Sequence, residues 1–321
     1  MKARCFCIDL GNTFSASSPS GDLLPAVLLQ PMNVLIFGAS GQDGHYLADL
    51  CKTKGLSPIG VSRTGNGQRG DVGIYEDVET LIKKYAPAYI FHLAARSTTR
   101  HDALFENHQT ISTGTLNILE SVKNHSPQTR VFLAGSGVQF RNTGKPISER
   151  DPFEASSPYA VARIQSVYAA RYYRSLGLRV YVGYLFHHES PLRKPNHVSM
   201  KIALAAQRIA AGGQEKLELG DITVEKEWTF AGDVAQAMLT LVRQDDLFEA
   251  TIGSGAAYSI KDWLEQCFGV IGKDWHDHVH LKEGFISEYP RLVSDPATIR
   301  SLGWSPKVGF AALAHMMMER P

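Results

Sequence analysis

Tyr159 and Arg163 lie one helical turn apart in the stretch Ser157-Pro158-Tyr159-Ala160-Val161-Ala162-Arg163. Side chains at i and i+4 leave a helix on one face, so the guanidinium is placed to favour a phenolate and make Tyr159 an acid/base near neutral pH. The same spacing occurs on ordinary amphipathic surface helices, and it gains meaning only from what accompanies it. Upstream stands Gly38-Ala39-Ser40-Gly41-Gln42-Asp43-Gly44, a GxxGxxG pattern. There Gly38 permits a tight turn, Gly41 lets backbone amides approach a pyrophosphate, and Gly44 allows close helix packing, with the anion at the helix N-terminus. Gln42 and Asp43, where that helix opens, are further candidate cofactor contacts. Val61-Ser62-Arg63 offers a hydroxyl and a cation where a site for NAD would place a carboxylate. Arg63 suits a 2′-phosphate, which favours NADP over NAD; otherwise it is a solvated loop arginine. Asp71 is a candidate acceptor for the adenine amino group.

Chemistry of this kind requires a strand, a glycine turn and a helix, in that order. Met32 to Phe37 (MNVLIF) is a short apolar run that suits a buried strand, and Asp43 to Lys54 reads as the helix after it. Leu56 to Ser62 gives a second strand, Glu76 to Tyr85 a helix, and Tyr89 to Leu93 a strand running into Ala94-Ala95. Leu104 to Lys123 reads as helical, Arg130 to Gly135 as a strand, Pro158 to Leu176 as a long helix and Leu178 to Phe186 as a strand. This alternation predicts an α/β fold with a Rossmann-type doubly wound parallel sheet, covered on both faces. After Phe186 the chain is less regular, with helices expected over Val198 to Ala211, Asp233 to Val242, Ser259 to Val270, Asp295 to Leu302 and Phe310 to Arg320. Ser259 and Asp262 are spaced as a capping box. The expected organisation is an NADP-binding domain over 32–186, to which segments near 229–258 return. A smaller C-terminal substrate-binding domain, from 187–228 and 259–321, completes a cleft.

The chain has 321 residues, enough for one large domain or two intimately joined ones. Its net charge of +1 argues against a nucleic-acid partner, because no strong excess of Lys and Arg is available to neutralise phosphates. Cys5, Cys7, Cys51 and Cys267 show neither CxxC spacing nor disulfide density, so a reduced, cytoplasmic compartment and no metal site are expected. No stretch approaches membrane-spanning length. Residues 1–31 match a secretory signal poorly, since their apolar stretches are short and separated by a Ser/Gly/Pro-rich run. They read as a disordered extension, or as the product of an upstream start codon, with Met32 opening the folded part.

Together with Leu93-Ala94-Ala95 and Ser157-Pro158-Tyr159, these features resemble the extended short-chain dehydrogenase/reductases. Gly41-Gln42-Asp43-Gly44-His45-Tyr46-Leu47-Ala48 is similar to the GQDGxYLA opening of GDP-mannose 4,6-dehydratases, and Leu185-Phe186-His187-His188-Glu189-Ser190-Pro191 resembles that family's LFNHESP. Leu219-Gly220-Asp221 and Lys226-Glu227-Trp228 with Asp233 resemble its LGN and RDW segment, and Asp295-Pro296 with Leu302-Gly303-Trp304-Ser305-Pro306 its closing segment. The resemblance spans Met32 to the C-terminus. It implies an NADP-dependent enzyme that oxidises C4 of GDP-mannose or another nucleotide-diphosphate hexose, removes water across C5 and C6, and returns the hydride. In that scheme Tyr159 takes the C4 hydroxyl proton, Ser136 hydrogen-bonds the same oxygen, and Arg163 stands beside them; Leu93, Ala94 and Ala95 border the cofactor. Implied substrate contacts are Ser97, His187, Glu189, Arg193, Lys201, Lys226 and Arg291. A homodimer through the helices from Leu104 to Lys123 and Pro158 to Leu176, or a tetramer, is implied as well.

Three departures qualify the resemblance. The family's T-S-E-x-Y-G stretch reads Ser136-Gly137-Val138-Gln139-Phe140-Arg141, so a valine replaces the glutamate that would move the C5 proton. Arg163 replaces a lysine; it can favour the phenolate by charge, but a pKa above about 12 prevents it from relaying a proton. The connection from Arg63 to Asp71 is brief, which bears on tetramer formation. These departures keep two alternatives open: a 4-keto nucleotide-sugar reductase or epimerase, and a catalytically impaired protein that binds NADP or a nucleotide sugar.

Overall fold

An apolar run with no polar alternation must be buried on both sides, and Val34, Leu35, Ile36 and Phe37 of the strand Asn33–Phe37 are each at most 1% exposed. The computed structural model describes residues 32–64, 67–285 and 287–319, so the expected N-terminal extension lies outside the described residues. Asn33–Phe37 sits inside a seven-stranded sheet ordered Glu249–Ile252, Arg179–Leu185, Arg130–Ser136, Tyr89–His92, Asn33–Phe37, Ser57–Ser62 and Gln68–Arg69. Every pairing in it is parallel. The chain builds outward from Asn33–Phe37 in one direction, then returns through Tyr89–His92 to build the other half. The order therefore reverses between these two strands, and ligands of such sheets bind in the crevice at that reversal. The doubly wound parallel α/β class expected above is the one observed.

Successive strand residues face opposite sides, which sorts the core into two layers. Leu35, Phe37, Val131, Leu133, Val180 and Val182 pack against the helices Tyr75–Tyr85, Gly114–His125 and Pro158–Ser175. Val34, Ile36, Phe91, Phe132 and Tyr181 pack against Gln42–Thr53 and Ala231–Leu241, together with Ile299 and Trp304. A third cluster joins the helices Val198–Ala210, Ile260–Val270 and Phe310–Met318 around Trp228 and Trp263, whose rings stack 4.6 Å apart. The Ser259/Asp262 capping box is present, with hydrogen bonds of 3.0 and 2.7 Å. Among the described residues, no helix is long and apolar enough to cross a membrane.

Two expectations need correction. The helix read from Leu104 to Lys123 is interrupted: an α turn at Leu104–Asn107 and π turns at His108–Thr113 precede Gly114–His125. The cause is insertion of outside side chains into the ladder. His92 Nε2 lies 3.1 Å from the Thr110 carbonyl, and Ser166 Oγ donates to that of Ile111 at 3.2 Å. The second half also holds strands that periodicity did not reveal, including Leu217–Leu219, Glu225–Glu227, Val279–Leu281 and Arg291–Leu292. Strands of two or three residues are too short to display a period.

Glu249 ties the last sheet strand to its neighbours. It accepts from Arg171 Nη2 at 2.8 Å, Tyr184 Oη at 2.6 Å and Arg174 Nη2. Burial would push its carboxyl up, but these hydrogen bonds outweigh burial and hold it at about 2. Because this folded-state value is depressed, the contribution is present above the ordinary glutamate range and is lost as pH falls towards about 2. Glu249→Gln is expected to cost roughly 2–3 kcal/mol at neutral pH and to flatten the acid limb of the stability profile. Urea unfolding of both proteins across the acid range measures this; parallel profiles would contradict it.

Candidate functional site

The site begins where Asn33–Phe37 ends. Gly38 has φ +91°, and a β-carbon there would lie 2.6 Å from the Ala94 backbone nitrogen. At Gly44 a β-carbon would lie 2.6 Å from both the Ala39 Cα and the Gly38 carbonyl oxygen. Those two glycines are demanded by packing within the chain. Gly41 is different: its nearest protein atom would be 3.4 Å away, and the residue borders a cavity of about 910 Å³. The cavity lies over the N-terminus of Gln42–Thr53 and is lined by Gly38, Gly41, Gln42, Asp43 and Gly44 on one side and by Leu93, Ala94, Ala95 and Ser97 on the other. It therefore has the shape and the free N–H groups that a pyrophosphate needs.

Ser62, Arg63 and Asp71 line the same cavity beyond the second strand. Ser62 Oγ donates to the Thr64 carbonyl at 2.6 Å, and Asp71 Oδ1 accepts from the Gly73 backbone at 2.9 Å. Arg63 meets Glu106 at 3.3 Å, and Arg96 meets the same carboxylate at 2.9 Å. Arg96 and Glu106 escaped the sequence reading. Arg96 directly follows the Leu93-Ala94-Ala95 motif, which was the available signal.

Tyr159 lies on the second residue of Pro158–Ser175, a helix started by Ser157 Oγ accepting from Ala160 N at 3.1 Å. One turn on, Arg163 is 4% exposed, stacks over the Tyr159 ring at 5.1 Å from its centroid, and donates to the Ala134 carbonyl. That bond ties the tyrosine's helix to the strand whose last residue is Ser136. Gln139 Oε1 accepts from the Ser136 backbone N–H at 2.8 Å, fixing the turn that carries Val138. Val138 is half-buried and packs against the sheet core, so no acid or base occupies its position. Arg163 Nε and His92 Nδ1 are buried without a hydrogen-bond partner. Burial, then the nearby Arg163 charge, pushes His92 down to about 4, so it is neutral under the site.

The 187–193 loop follows Arg179–Leu185, whose Leu185 pairs with Ser136 in the sheet. Gln42 and Asp43 hold it to the glycine turn. Gln42 Nε2 donates to the His188 carbonyl at 3.3 Å, Ser190 Oγ donates to Gln42 Oε1 at 2.9 Å, and His188 Nε2 meets Asp43 Oδ1 at 2.9 Å. Loss of solvent works against both charges of that pair, but each outweighs it for the other: Asp43 is held below the usual carboxylate range and His188 above the usual histidine range. Glu189 is 1% exposed and accepts from Arg193 Nε and Ser199 Oγ, each at 2.7 Å. Burial opposes its charge, yet Arg193 and Lys226 hold it ionised at about 2. His187 is driven well below its usual range by burial and by Lys226, and its Nε2 lies 3.0 Å from Tyr289 Oη. Lys226 is buried, with Nζ 4.6 Å from the Trp228 ring centroid.

Arg193 lines the cavity, as do Lys194 and His197, which the sequence reading missed. Burial and Arg193 lower His197 to about 4. Ser136, Tyr159, Arg163, His187, Glu189, Lys201, Lys226 and Arg291 are not among its lining residues; Lys201 Nζ donates to the Glu218 carbonyl at 2.6 Å, and Arg291 Nε lies 3.1 Å from Glu225 Oε2.

Residues 65–317 match a family model described as GDP-mannose 4,6 dehydratase. GDP-mannose 4,6 dehydratase 1 of Arabidopsis thaliana is 31% identical over 326 residues, covering 91% of this chain and 90% of its own. The UDP-glucose 4-epimerase of Thermus thermophilus, solved with NAD, superposes with a TM-score of 0.77 at 21% identity, over 90% of this chain and 98% of that one. RMD of Pseudomonas aeruginosa, solved with NADPH, gives a TM-score of 0.80 at 20% identity over the same shares. At these identities the two solved structures share the fold.

The Asp43–His188 pair is fully charged only between its lowered aspartate and raised histidine values. It weakens as pH falls through the first or rises through the second. Asp43→Asn is expected to speed hydrogen exchange over 187–193 by about tenfold and to remove the loss of protection that the unaltered protein shows as pH rises through the His188 transition. Hydrogen-exchange mass spectrometry at several pH values checks this, and unchanged protection would refute the clamp.

Proposed function

The chain belongs to the GDP-mannose 4,6-dehydratase family, and on that footing we propose that it binds NADP in the cavity over Gly38–Gly44 and oxidises C4 of a nucleotide-diphosphate hexose, GDP-mannose foremost. The observation that supports this reading is Arg163, which stacks over the Tyr159 ring and donates to the Ala134 carbonyl, two residues before Ser136. The cofactor fits the residues present. Gly41 leaves open space at a helix N-terminus, Arg63 and Arg96 supply cations beyond Ser62, and the buried Arg163 Nε is a donor without an acceptor. A nicotinamide bound there would supply the hydride acceptor and donor.

Tyr159 takes the proton of the C4 hydroxyl while the C4–H electron pair departs as hydride, and Ser136 hydrogen-bonds the same oxygen. Arg163 stacks over the Tyr159 ring and holds it in place through its bond to the Ala134 carbonyl. The resulting C4 ketone acidifies the C5 hydrogen. Arg193, which lines the cavity, and the buried Lys226 supply positive charge suited to the substrate diphosphate, with His187 beside them held neutral. Water loss across C5 and C6 needs a base at the position Val138 occupies, and Glu189 is already committed to Arg193 and Ser199. Val138 is the observation that favours a second reading, a 4-keto nucleotide-sugar reductase or epimerase, which needs Tyr159 and the cofactor but no such base.

Phe105, Leu116, Val161, Tyr168, Tyr172 and Leu176 are exposed, and all lie on or beside the helices of 104–125 and 158–175. An apolar face of this extent supports a homodimer through those helices. Buried free thiols at Cys51 and Cys267 suit a reducing, cytoplasmic compartment.

With GDP-mannose and NADP, mass spectrometry is expected to show a product lighter by one water. Tyr159→Phe should lower its rate by about a hundredfold or more, and Val138→Glu should raise it by roughly the same factor. Absence of water loss, together with NADPH consumption on a supplied 4-keto sugar, would replace the dehydratase reading with the second one. Tyr172→Asp is expected to shift the sedimenting species from dimer to monomer; an unchanged profile would remove this face from the interface.

A further inference from the structure

Two arginines from separate segments converge on one carboxylate in the part of the cavity beyond the second strand. Arg63 follows the strand Ser57–Ser62, Arg96 follows Leu93-Ala94-Ala95, and both reach Glu106, at 3.3 and 2.9 Å on its two different oxygens. All three residues line the cavity. The other two acidic residues lining it, among the described residues, are otherwise engaged, Asp43 with His188 and Asp71 with the Gly73 backbone. Glu106 is thus the anion on which the two guanidinium groups meet. Its bridges are solvent-accessible, with side-chain exposures of 60% and 48% for the arginines and 37% for the glutamate, and ion pairs of that exposure are weak. A phosphate monoester brings nearly twice the charge and three acceptor oxygens to the same two forks, so it competes well against a lone carboxylate.

We propose that Arg96 acts with Arg63 as a clamp for the 2′-phosphate of the dinucleotide, and that Glu106 is a displaceable stand-in that keeps the two guanidinium groups converged until that phosphate arrives. This deepens the NADP reading and rests on it. Arg96 becomes a determinant of cofactor choice, and Glu106 becomes an internal competitor whose removal tightens binding. A carboxylate that organised the arginines permanently would have the opposite effect when neutralised.

The test titrates the full chain with NADPH and NADH and compares their dissociation constants. Arg96→Ala is expected to lower the preference for NADPH over NADH by roughly tenfold or more, the ordinary scale of one charge-assisted contact. Glu106→Gln is expected to raise that preference several-fold, since no carboxylate then competes with the phosphate. An unchanged preference in both variants, in a protein that prefers NADPH, overturns the clamp while leaving the NADP reading intact. A preference lowered by Glu106→Gln overturns the stand-in role. Equal or tighter binding of NADH by the unaltered protein defeats the NADP reading, and the clamp with it.

Discussion

The backbone at Gly38 passes so close to that at Ala94 that a β-carbon would sit 2.6 Å from the Ala94 nitrogen. This approach is where the strand order reverses, and the rest of the site follows from it. Because the two turns touch at their base, the crevice above them opens over a helix N-terminus whose N–H groups have no intrahelical acceptor. The same geometry leaves room beside Gly41 and none beside Gly38 or Gly44. Glycine is thus required twice for fit inside the protein and once for access from outside it.

Charge is placed around that crevice with few spare partners. Asp43 and His188, Glu189 and Arg193, and Glu106 with Arg63 and Arg96 each bring opposite charges together. The buried pairs gain more from mutual attraction than the exposed ones, since less water screens them. Arg163 differs: it is a buried guanidinium that donates to a carbonyl and whose Nε has no acceptor. Desolvating a charge in this way costs free energy, and the ring of Tyr159 offsets part of that cost through its negative face.

The parallel sheet was legible in the sequence because long apolar runs and glycine turns are local signals, whereas its strand order and the two-residue edge strand Gln68–Arg69 were not. The helix caps were legible for the same reason: Ser259 and Asp262 are three residues apart and need nothing else. What stayed hidden depends on residues distant in sequence. The Gln42–Ser190 and Asp43–His188 contacts span about half the described chain, so the motif that suggested Gln42 and Asp43 as cofactor contacts gave no sign that both also hold the 187–193 loop. The π turns at His108–Thr113 arise from His92 and Ser166, neither of which belongs to that helix. Lys201 and Arg291 carried the right charge, yet a carbonyl of Glu218 and a carboxylate of Glu225 engage them away from the cavity.

The second layer of the core also has a bearing on synthesis. Val34, Ile36, Phe91, Phe132 and Tyr181 are covered on one side by Ala231–Leu241, and beyond that by Ile299 and Trp304. A nascent chain that has emerged only through Arg179–Leu185 possesses six of the seven sheet strands, yet one face of them lacks its later helix. At translation speeds of about 5–20 residues per second, that face waits several seconds for its cover. Parallel strands closed by such distant segments fold slowly and stay prone to association meanwhile. The interval between the ribosome's release of Tyr181 and of Met238 is therefore when this apolar face stands open to association.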